Sequence, residues 1–251
     1  MADGGIRTWR AFLTHMGTVT LGLLIAVGIA QIVESIRHHN QRQSLQRQMR
    51  AESEQNLAVV EDDSNGLRTT IQNLEAMRTA LDNAKTSGGK LTFAVPAVQS
   101  ARPGWYFRTP TRATWNVAVS AGRVTLLPAE QAKSYGRLDF NSQYVAESEN
   151  IFNNSFYDYL TELSVNHLDA ATTGSTATLT ADSRDRLLRA TVQAQEKAID
   201  LLQDLALYKG ALESVTADTR SLADMYRNQQ KAIDEDQRAV SALLHREIVT
   251  R

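Results

Sequence analysis

The chain has 251 residues, of which 42% are hydrophobic and 22% charged, and its formal net charge is −1. This composition excludes a wholly disordered chain, and the balanced charge argues against a dedicated nucleic-acid binder, which needs a clear excess of Lys and Arg on one face. Because cysteine is absent, disulfides, thiolate zinc sites, iron–sulfur clusters and cysteine nucleophiles are excluded.

An uncharged apolar stretch near the N-terminus, residues 12–33, predicts a membrane-spanning helix. At about 1.5 Å per residue this helix is about 33 Å long, enough for a hydrocarbon core of about 30 Å. Trp9, flanked by two arginines, is typical of an interfacial anchor. The alternatives are a buried helix of a soluble protein and a signal peptide cleaved at Gly28-Ile29-Ala30, which has the small-x-small form of such sites.

Small residues recur at every fourth position on one face of this helix: Thr14, Thr18, Gly22, Ala26 and Ala30. Small side chains at this spacing let two helices approach closely in lipid, so the face is a candidate packing surface for a second copy or a partner. The alternative is the ordinary small-residue content of membrane helices.

Basic residues are more numerous after the span than before it. Arg7 and Arg10 precede the span, whereas four arginines follow it between residues 37 and 50, so the positive-inside rule favours a cytoplasmic C-terminal domain. The alternative is a domain outside the cytoplasm, as in many bacterial proteins with one N-terminal span, since the margin is two arginines. Arg37 and Arg42 are candidate contacts for anionic headgroups, because a basic residue near a membrane surface contributes about 1 kcal/mol.

All four prolines lie between residues 96 and 128, which leaves the chain on either side free to form long helices. The sequence thus divides into a membrane anchor, a membrane-proximal long helix, an insertion rich in proline and aromatics, and a set of helical hairpins: residues 1–34, 35–86, 87–128 and 129–251. The first long helix is expected to cross a solvated neck at residues 37–56 and to end near residue 84, before Ser87-Gly88-Gly89.

The insertion is predicted to contain a short strand at residues 91–95 and a short helix at residues 113–120. Four aromatic side chains of this region are candidate partner or ligand contacts: Trp105, Tyr106, Phe107 and Trp115. The alternative is a hydrophobic plug that covers one end of a helical bundle.

A second long helix is predicted from Pro128 to about residue 168, with a seam that alternates four and three residues: Leu138, Ser142, Val145, Glu149, Phe152, Phe156, Tyr159 and Leu163. A polar surface linker is expected at residues 170–183. Two more helices follow, the first of which Gly210 is expected to interrupt. The predicted fold is mainly α, an N-terminal transmembrane helix continuing into an antiparallel, four-helix-like bundle with a small αβ insertion.

The sequence contains no recognised catalytic constellation. It has no His-x-x-x-His or Glu-x-x-His pair, no phosphate-binding loop, no dinucleotide fingerprint and no nucleophile elbow. We therefore expect a non-catalytic protein without a metal or cofactor. The acidic runs Glu61-Asp62-Asp63 and Asp234-Glu235-Asp236 are interpreted as solvent-facing, and Glu149 as an edge position of its seam.

Residues 20–29, followed by Gln31, Glu34, Glu52 and Asn56, resemble an uncharacterised family of bacterial single-span membrane proteins with a GLLIALGLEQ-like span. The resemblance extends to residues 113–118, Gly122 and Tyr135, and so covers residues 12 to about 140. It implies an anchored protein of the bacterial inner membrane and carries no activity. Ala30 is a departure, since the family pattern has an acidic residue there.

Two functions remain as hypotheses. The first is a membrane-anchored interaction or assembly protein, which either self-assembles or serves as an accessory subunit of a larger membrane complex. The second is a sensory or small-ligand-binding helical bundle tethered to the membrane, with the aromatic insertion as its lid.

Overall fold

Long helices dominate the computed structural model of the chain, which describes residues 4–96, 107–217 and 222–244. The helices are α1 (Gly4–Asp82), α2 (Ala113–Ser120), α3 (Ala129–Val165), α4 (Ala181–Thr216) and α5 (Leu222–Leu244), and the strands are β1 (Lys85–Ser87), β2 (Lys90–Ala94) and β3 (Thr176–Leu179). A 3-10 turn at Arg123–Leu126 joins α2 to α3. The prediction of a mainly helical fold with a small β element is confirmed.

Helix α1 is one uninterrupted helix of 79 residues, about 118 Å long at 1.5 Å per residue. Its residues 11–40 are almost entirely exposed, whereas a stripe from Leu45 onward is buried. That stripe consists of Leu45, Met49, Val60, Leu67, Ile71, Leu74, Met77 and Leu81. The expected solvated neck at residues 37–56 is therefore wrong for its second half, because Leu45 and Met49 already pack into the bundle core.

Helix α4 packs against α1, α3 and α5 and so forms the centre of the bundle. Its first turns contribute Leu187 to a core cluster with Leu81 of α1, and its last turns contribute Leu212 to a cluster with Leu45 of α1. Helix α4 therefore runs antiparallel to α1, and its start lies at the end of the bundle far from the apolar N-terminal stretch.

Helix α3 runs in the same direction as α1. At the near end, Gln46 Nε2 donates a hydrogen bond of 2.6 Å to Gln131 Oε1, and at the far end Leu81 and Leu163 share one core cluster. The expectation that helices consecutive in the chain run antiparallel is thus wrong for α1 and α3, although each of them is antiparallel to α4, against which both pack. The reason is that residues 108–131 run back along α1 toward the near end before α3 is established. Arg108, Thr114 and Gln131 form hydrogen bonds in turn with Asp63, Glu52 and Gln46.

Gly210 does not interrupt α4, contrary to expectation, but lies where the backbone of α5 packs closely against it. A Cβ atom at Gly210 would be 2.6 Å from the Cα atom of Gln229. Glycine is required here by the distance between two helix backbones and not by a helix end.

A three-stranded antiparallel sheet in the order β1-β2-β3 covers the far end of the bundle. A turn through Gly88 and Gly89, which have φ angles of 59° and 75°, joins β1 to β2. Strand β3 pairs with β2 so that Ala177 lies opposite Phe93. The expected linker at residues 170–183 therefore contains a strand, whose Thr/Ala alternation suits a half-exposed edge.

The predicted seam of α3 is confirmed as its packing face. Leu138, Val145, Phe152 and Leu163 are buried against α1 and α4. The charged member of the seam, Glu149, is half-buried.

Candidate functional site

The most unusual surface of the protein is the apolar segment of α1, residues 11–33. Within this part of the helix an 18-residue window has a mean hydropathy of 2.0, and none of that window is buried. Its large side chains are about half to two-thirds exposed: Trp9, which precedes it, is 61% exposed, Leu21 60% and Leu23 64%. The helix is therefore long and apolar enough to cross a membrane.

The small-residue face predicted within this segment lies on the exposed helix surface. The Thr18 hydroxyl donates to the Thr14 carbonyl oxygen at 2.9 Å, one turn back along the same helix. The Thr20 hydroxyl bonds to the Met16 carbonyl in the same way, at 2.8 Å. A Cβ atom at Gly22 would meet nothing within 4 Å. These hydroxyls are satisfied within the helix, as an apolar surrounding requires.

A polar segment of α1, from Glu34 to Arg42, lies between the apolar segment and the bundle. His38 Nε2 lies 2.8 Å from Glu34 Oε1, and His39 lies 3.3 Å from an Arg42 nitrogen. At 1.5 Å per residue, Arg37 and Arg42 stand about 6 and 14 Å beyond residue 33 along the helix. The headgroup layer on one side of a bilayer is about 5–8 Å thick, so Arg37 is the better placed of these two candidate headgroup contacts.

Glu52 and Asn56, which carry part of the family resemblance, hold residues 111–114 against α1. Asn56 forms two hydrogen bonds with the Thr111 backbone, donating to its carbonyl oxygen at 2.9 Å and accepting from its N–H at 3.0 Å. Asn56 also donates to the Tyr208 hydroxyl of α4 at 3.1 Å. Glu52 accepts from the Thr114 N–H at 2.8 Å, at the positively polarised start of α2. We call this arrangement the Glu52–Asn56 clamp.

The clamp is a structural element and not a ligand pocket. Asn56 is 3% exposed, and burial raises the pKa of Tyr208 to about 12, so its hydroxyl stays protonated at neutral pH. The void among these residues is about 10 Å³. A cavity needs about 10–15 Å³ to hold even one water molecule. The spacing of four between Glu52 and Asn56 thus places two anchors on one helix face, where they fix residues 111–114.

Of the four aromatic candidate contacts, two lie among the described residues and both pack inward. Phe107 is partly buried and meets Phe152 edge-on, with ring centroids 5.8 Å apart. Trp115 is partly buried and meets Tyr135 with centroids 6.4 Å apart. Trp105 and Tyr106 lie outside the described residues. The packing of Phe107 and Trp115 favours a role in holding the insertion against the bundle.

The acidic run at residues 61–63 does not face solvent as a whole, contrary to expectation. Asp63 is 4% exposed and accepts a long hydrogen bond, 3.4 Å, from the Arg108 backbone N–H. Burial raises the pKa of Asp63 to about 6. Burial, and then repulsion from Asp63, also raises the pKa of Glu149 on α3. The burial of Asp63 was not predicted, because an acidic residue is usually exposed, although its position lies on the buried stripe of α1.

The expectation that the second acidic run, residues 234–236, faces solvent is also wrong for one residue, because Asp236 of α5 is 4% exposed. Arg68 of α1 donates to Asp236 Oδ1 at 2.9 Å. Burial is the main cause of the raised pKa of this carboxyl, and the partner arginine opposes it.

Across residues 4–96, 107–217 and 222–244, no group of three or more His, Cys, Asp or Glu side chains is placed to hold a metal ion. No family model, curated protein or solved structure matches the chain. The resemblance to single-span membrane proteins therefore stays a prediction.

Proposed function

We propose that this chain is a membrane-anchored, non-catalytic interaction or assembly protein of the bacterial inner membrane, with a single span. One observation carries the proposal: the same helix that buries a regular stripe from Leu45 to Leu81 leaves its most apolar stretch, residues 11–33, without packing in the described chain. An exposed apolar surface of this size has a large free-energy cost in water and none in lipid.

The anchor acts in assembly through its small-residue face, either by self-association or by binding a larger membrane complex. In lipid, close backbone approach between small residues replaces the hydrophobic effect as the source of helix association. Gly22 lies at the middle of that face, and a Cβ atom at this position would contact no other part of the described chain. A larger side chain there disturbs association without disturbing the bundle.

Gly22→Leu tests this assembly role, with Gly17→Leu as its matched control. Gly17 is five residues away, which is about 140° around the helix, and it too has nothing within 4 Å. We expect Gly22→Leu, and not Gly17→Leu, to lower the mass of the native particle extracted in mild detergent. The packing face is wrong if both variants keep the particle mass unchanged.

The composition of the same particle separates the two forms of the proposal. A particle that is a multiple of 27.8 kDa and contains this chain alone indicates self-assembly. A particle that contains further proteins indicates an accessory subunit, and their identity then names the complex.

The C-terminal bundle is proposed to lie in the cytoplasm, because more arginines follow the span than precede it. The absence of cysteine makes the test simple, since one introduced cysteine is a unique label site. Glu147→Cys places it on the exposed face of α3. A membrane-impermeant maleimide should label it only after the cells are lysed, whereas labelling of intact spheroplasts would place the bundle on the other side.

A further inference from the structure

The end of the bundle nearest the apolar segment, which we call the near end, is formed by the turn between α2 and α3. Leu127, which ends this turn, is buried in the same core cluster as Leu45, and Gln131 at the start of α3 accepts a hydrogen bond from Gln46. Because α3 runs away from the apolar segment, the residues just before Gln131 lie level with Gln46 or closer to that segment. Gln46 is about 20 Å beyond residue 33 along α1.

Arg123 is the first residue of this turn, and it is exposed. The headgroup layer extends about 5–8 Å beyond the hydrocarbon core, so with the core ending at residue 33 the Arg123 backbone lies no more than about 15 Å from the headgroups. The long arginine side chain spans much of this distance, and the screening length at physiological ionic strength is about 8 Å. Arg123 is therefore within electrostatic reach of the membrane surface.

The near end carries arginines that no carboxylate of the described chain neutralises. Across the described residues, Arg37 and Arg42 of α1 and Arg123 of the turn form no ion pair. The carboxylates at this end are already engaged, because Glu34 is paired with a histidine at 2.8 Å and Glu130 with a lysine at 2.9 Å. The charge that remains is positive, and it complements anionic phosphate groups.

The rest of α3 has the opposite charge. From Leu138 to Val165 this helix carries five acidic residues and no Lys or Arg. This part lies farther from the apolar segment, since α3 runs away from it. Charge is thus separated along the bundle axis, with the positive end toward the membrane, and this arrangement orients the bundle over an anionic surface.

We propose that the near end of the bundle docks onto anionic phospholipid headgroups, with Arg123 acting alongside Arg37 and Arg42. The two arginines of α1 alone would confine the contact to one helix, which is about 10–12 Å wide. Arg123 lies on a separate part of the bundle, so it widens the contact and restrains the bundle from leaning on its single anchor. This inference rests on the membrane anchor proposed above, and it adds the class of lipid that the bundle recognises.

A single spin label at Ala121→Cys tests the docking of the full chain in lipid vesicles. Ala121 is exposed beside the turn, and the chain has no other cysteine. The vesicles consist of phosphatidylcholine, or of phosphatidylcholine and phosphatidylglycerol in equal amounts, and both contain the same small fraction of a lipid with a nickel chelate on its headgroup. Nickel relaxes the label only at short distance. We expect stronger relaxation in the anionic vesicles at low salt, and loss of this difference at high salt.

Three variants of the labelled chain locate the contact. Arg123→Gln should lower the docked-to-undocked ratio about fivefold, which is the effect of one basic residue near an anionic surface. Arg123→Lys keeps the charge and should keep the relaxation. Arg238→Gln is the matched control, because it removes an exposed arginine of α5 close to the Asp236–Arg68 pair, about 50 Å beyond residue 33. This control should leave docking unchanged.

Flotation of the chain with phosphatidylcholine vesicles at high salt reports the anchor alone, because headgroup attraction is screened there. A chain that does not float would overturn the anchor and, with it, the docking. A chain that floats, but whose label relaxes equally in both lipids or equally with and without Arg123→Gln, would overturn the docking and leave the anchor intact.

Discussion

The two parts of α1 differ in what their apolar residues do. The first part, residues 11–40, is rich in large apolar side chains, and almost all of them are exposed. The second part is more polar in composition, yet it buries a residue every three or four positions from Leu45 to Leu81. Most of these residues are apolar, and Ser53, Asn56 and Asp63 occupy the buried positions between them. The comparison teaches that the periodic placement of apolar residues, and not their number, decides which part of α1 packs inside the bundle. The first part exposes its apolar side chains on all faces, which suits lipid better than water.

Leu67→Ala and Leu24→Ala test that comparison with the same substitution in the two parts of one helix. Leu67 is 0% exposed, so its truncation should lower the free energy of unfolding by about 2–5 kcal/mol. Leu24 is 63% exposed, and its truncation should change the stability of the bundle by less than about 0.5 kcal/mol. Urea denaturation in detergent measures both; similar losses in the two variants would contradict the division of α1.

Gly210→Ala tests the close approach of α4 and α5. The added Cβ atom meets the Gln229 backbone at 2.6 Å, so overpacking should cost about 1–3 kcal/mol despite the better helix propensity of alanine. Gly136→Ala is the matched control on α3, where the nearest atom is 3.8 Å away, in Trp115. Its thermal midpoint should hold or rise, and a Gly210→Ala variant as stable as this control would refute the contact.

Asn56→Ala tests whether the clamp holds the returning chain. The substitution leaves the Thr111 N–H and C=O without their partner, and we expect it to lower the free energy of unfolding by about 1–3 kcal/mol. Asn154→Ala, at an exposed position of α3, is the control. Amide hydrogen exchange at Thr111 should accelerate only in Asn56→Ala; unchanged exchange there would mean that other contacts fix the segment.

The smallest effect expected is a pH dependence from Asp63. Because its pKa in the fold is about 6, above the ordinary 3.8, the fold favours the protonated carboxyl. Its contribution is complete below about pH 4 and is lost as the pH rises through about 6. Glu149 and Asp204 have pKa values raised in the same direction, also chiefly by burial.

Urea midpoints measured from pH 4 to pH 7 should therefore fall less steeply in Asp63→Asn than in the unmodified chain. Asp158→Asn is the control, since Asp158 is exposed on α3 and is not among the groups that shift the pKa of Asp63, so this variant should keep the original slope. The same slope in all three chains would show that Asp63 does not titrate as its burial implies.

The sequence was sufficient to predict long helices on both sides of the prolines and the seam of α3, but not the continuity of α4 through Gly210. Proline positions separated the two helical regions, and the alternating spacing from Leu138 to Leu163 identified a real packing face. The strand near residue 91 and the short helix at residue 113 were also predictable from local patterns. These features depend on nearest neighbours along the chain, which is why local periodicity finds them.

The direction of α3 and the burial of two aspartates were not predicted. The direction of α3 depends on where residues 108–131 contact α1, and no local sequence pattern encodes a contact between positions so far apart in the chain. Asp63 and Asp236 occupy stripe positions, three or four residues from buried neighbours such as Val60 and Val240. The three- and four-residue spacing indicated that both aspartates would be buried. Runs of acidic residues usually face solvent, however, and the prediction followed that tendency and not the spacing.

The account depends most directly on whether residues 11–33 stay in a membrane. The decisive measurement is alkaline extraction of native membranes, followed by the intact mass of the chain in the pellet and in the supernatant. The account predicts a chain of 27.8 kDa retained in the pellet. A chain released into the supernatant, or one shortened to begin just after Ala30, would contradict it, because the apolar segment would then be either a soluble interface or a removed signal.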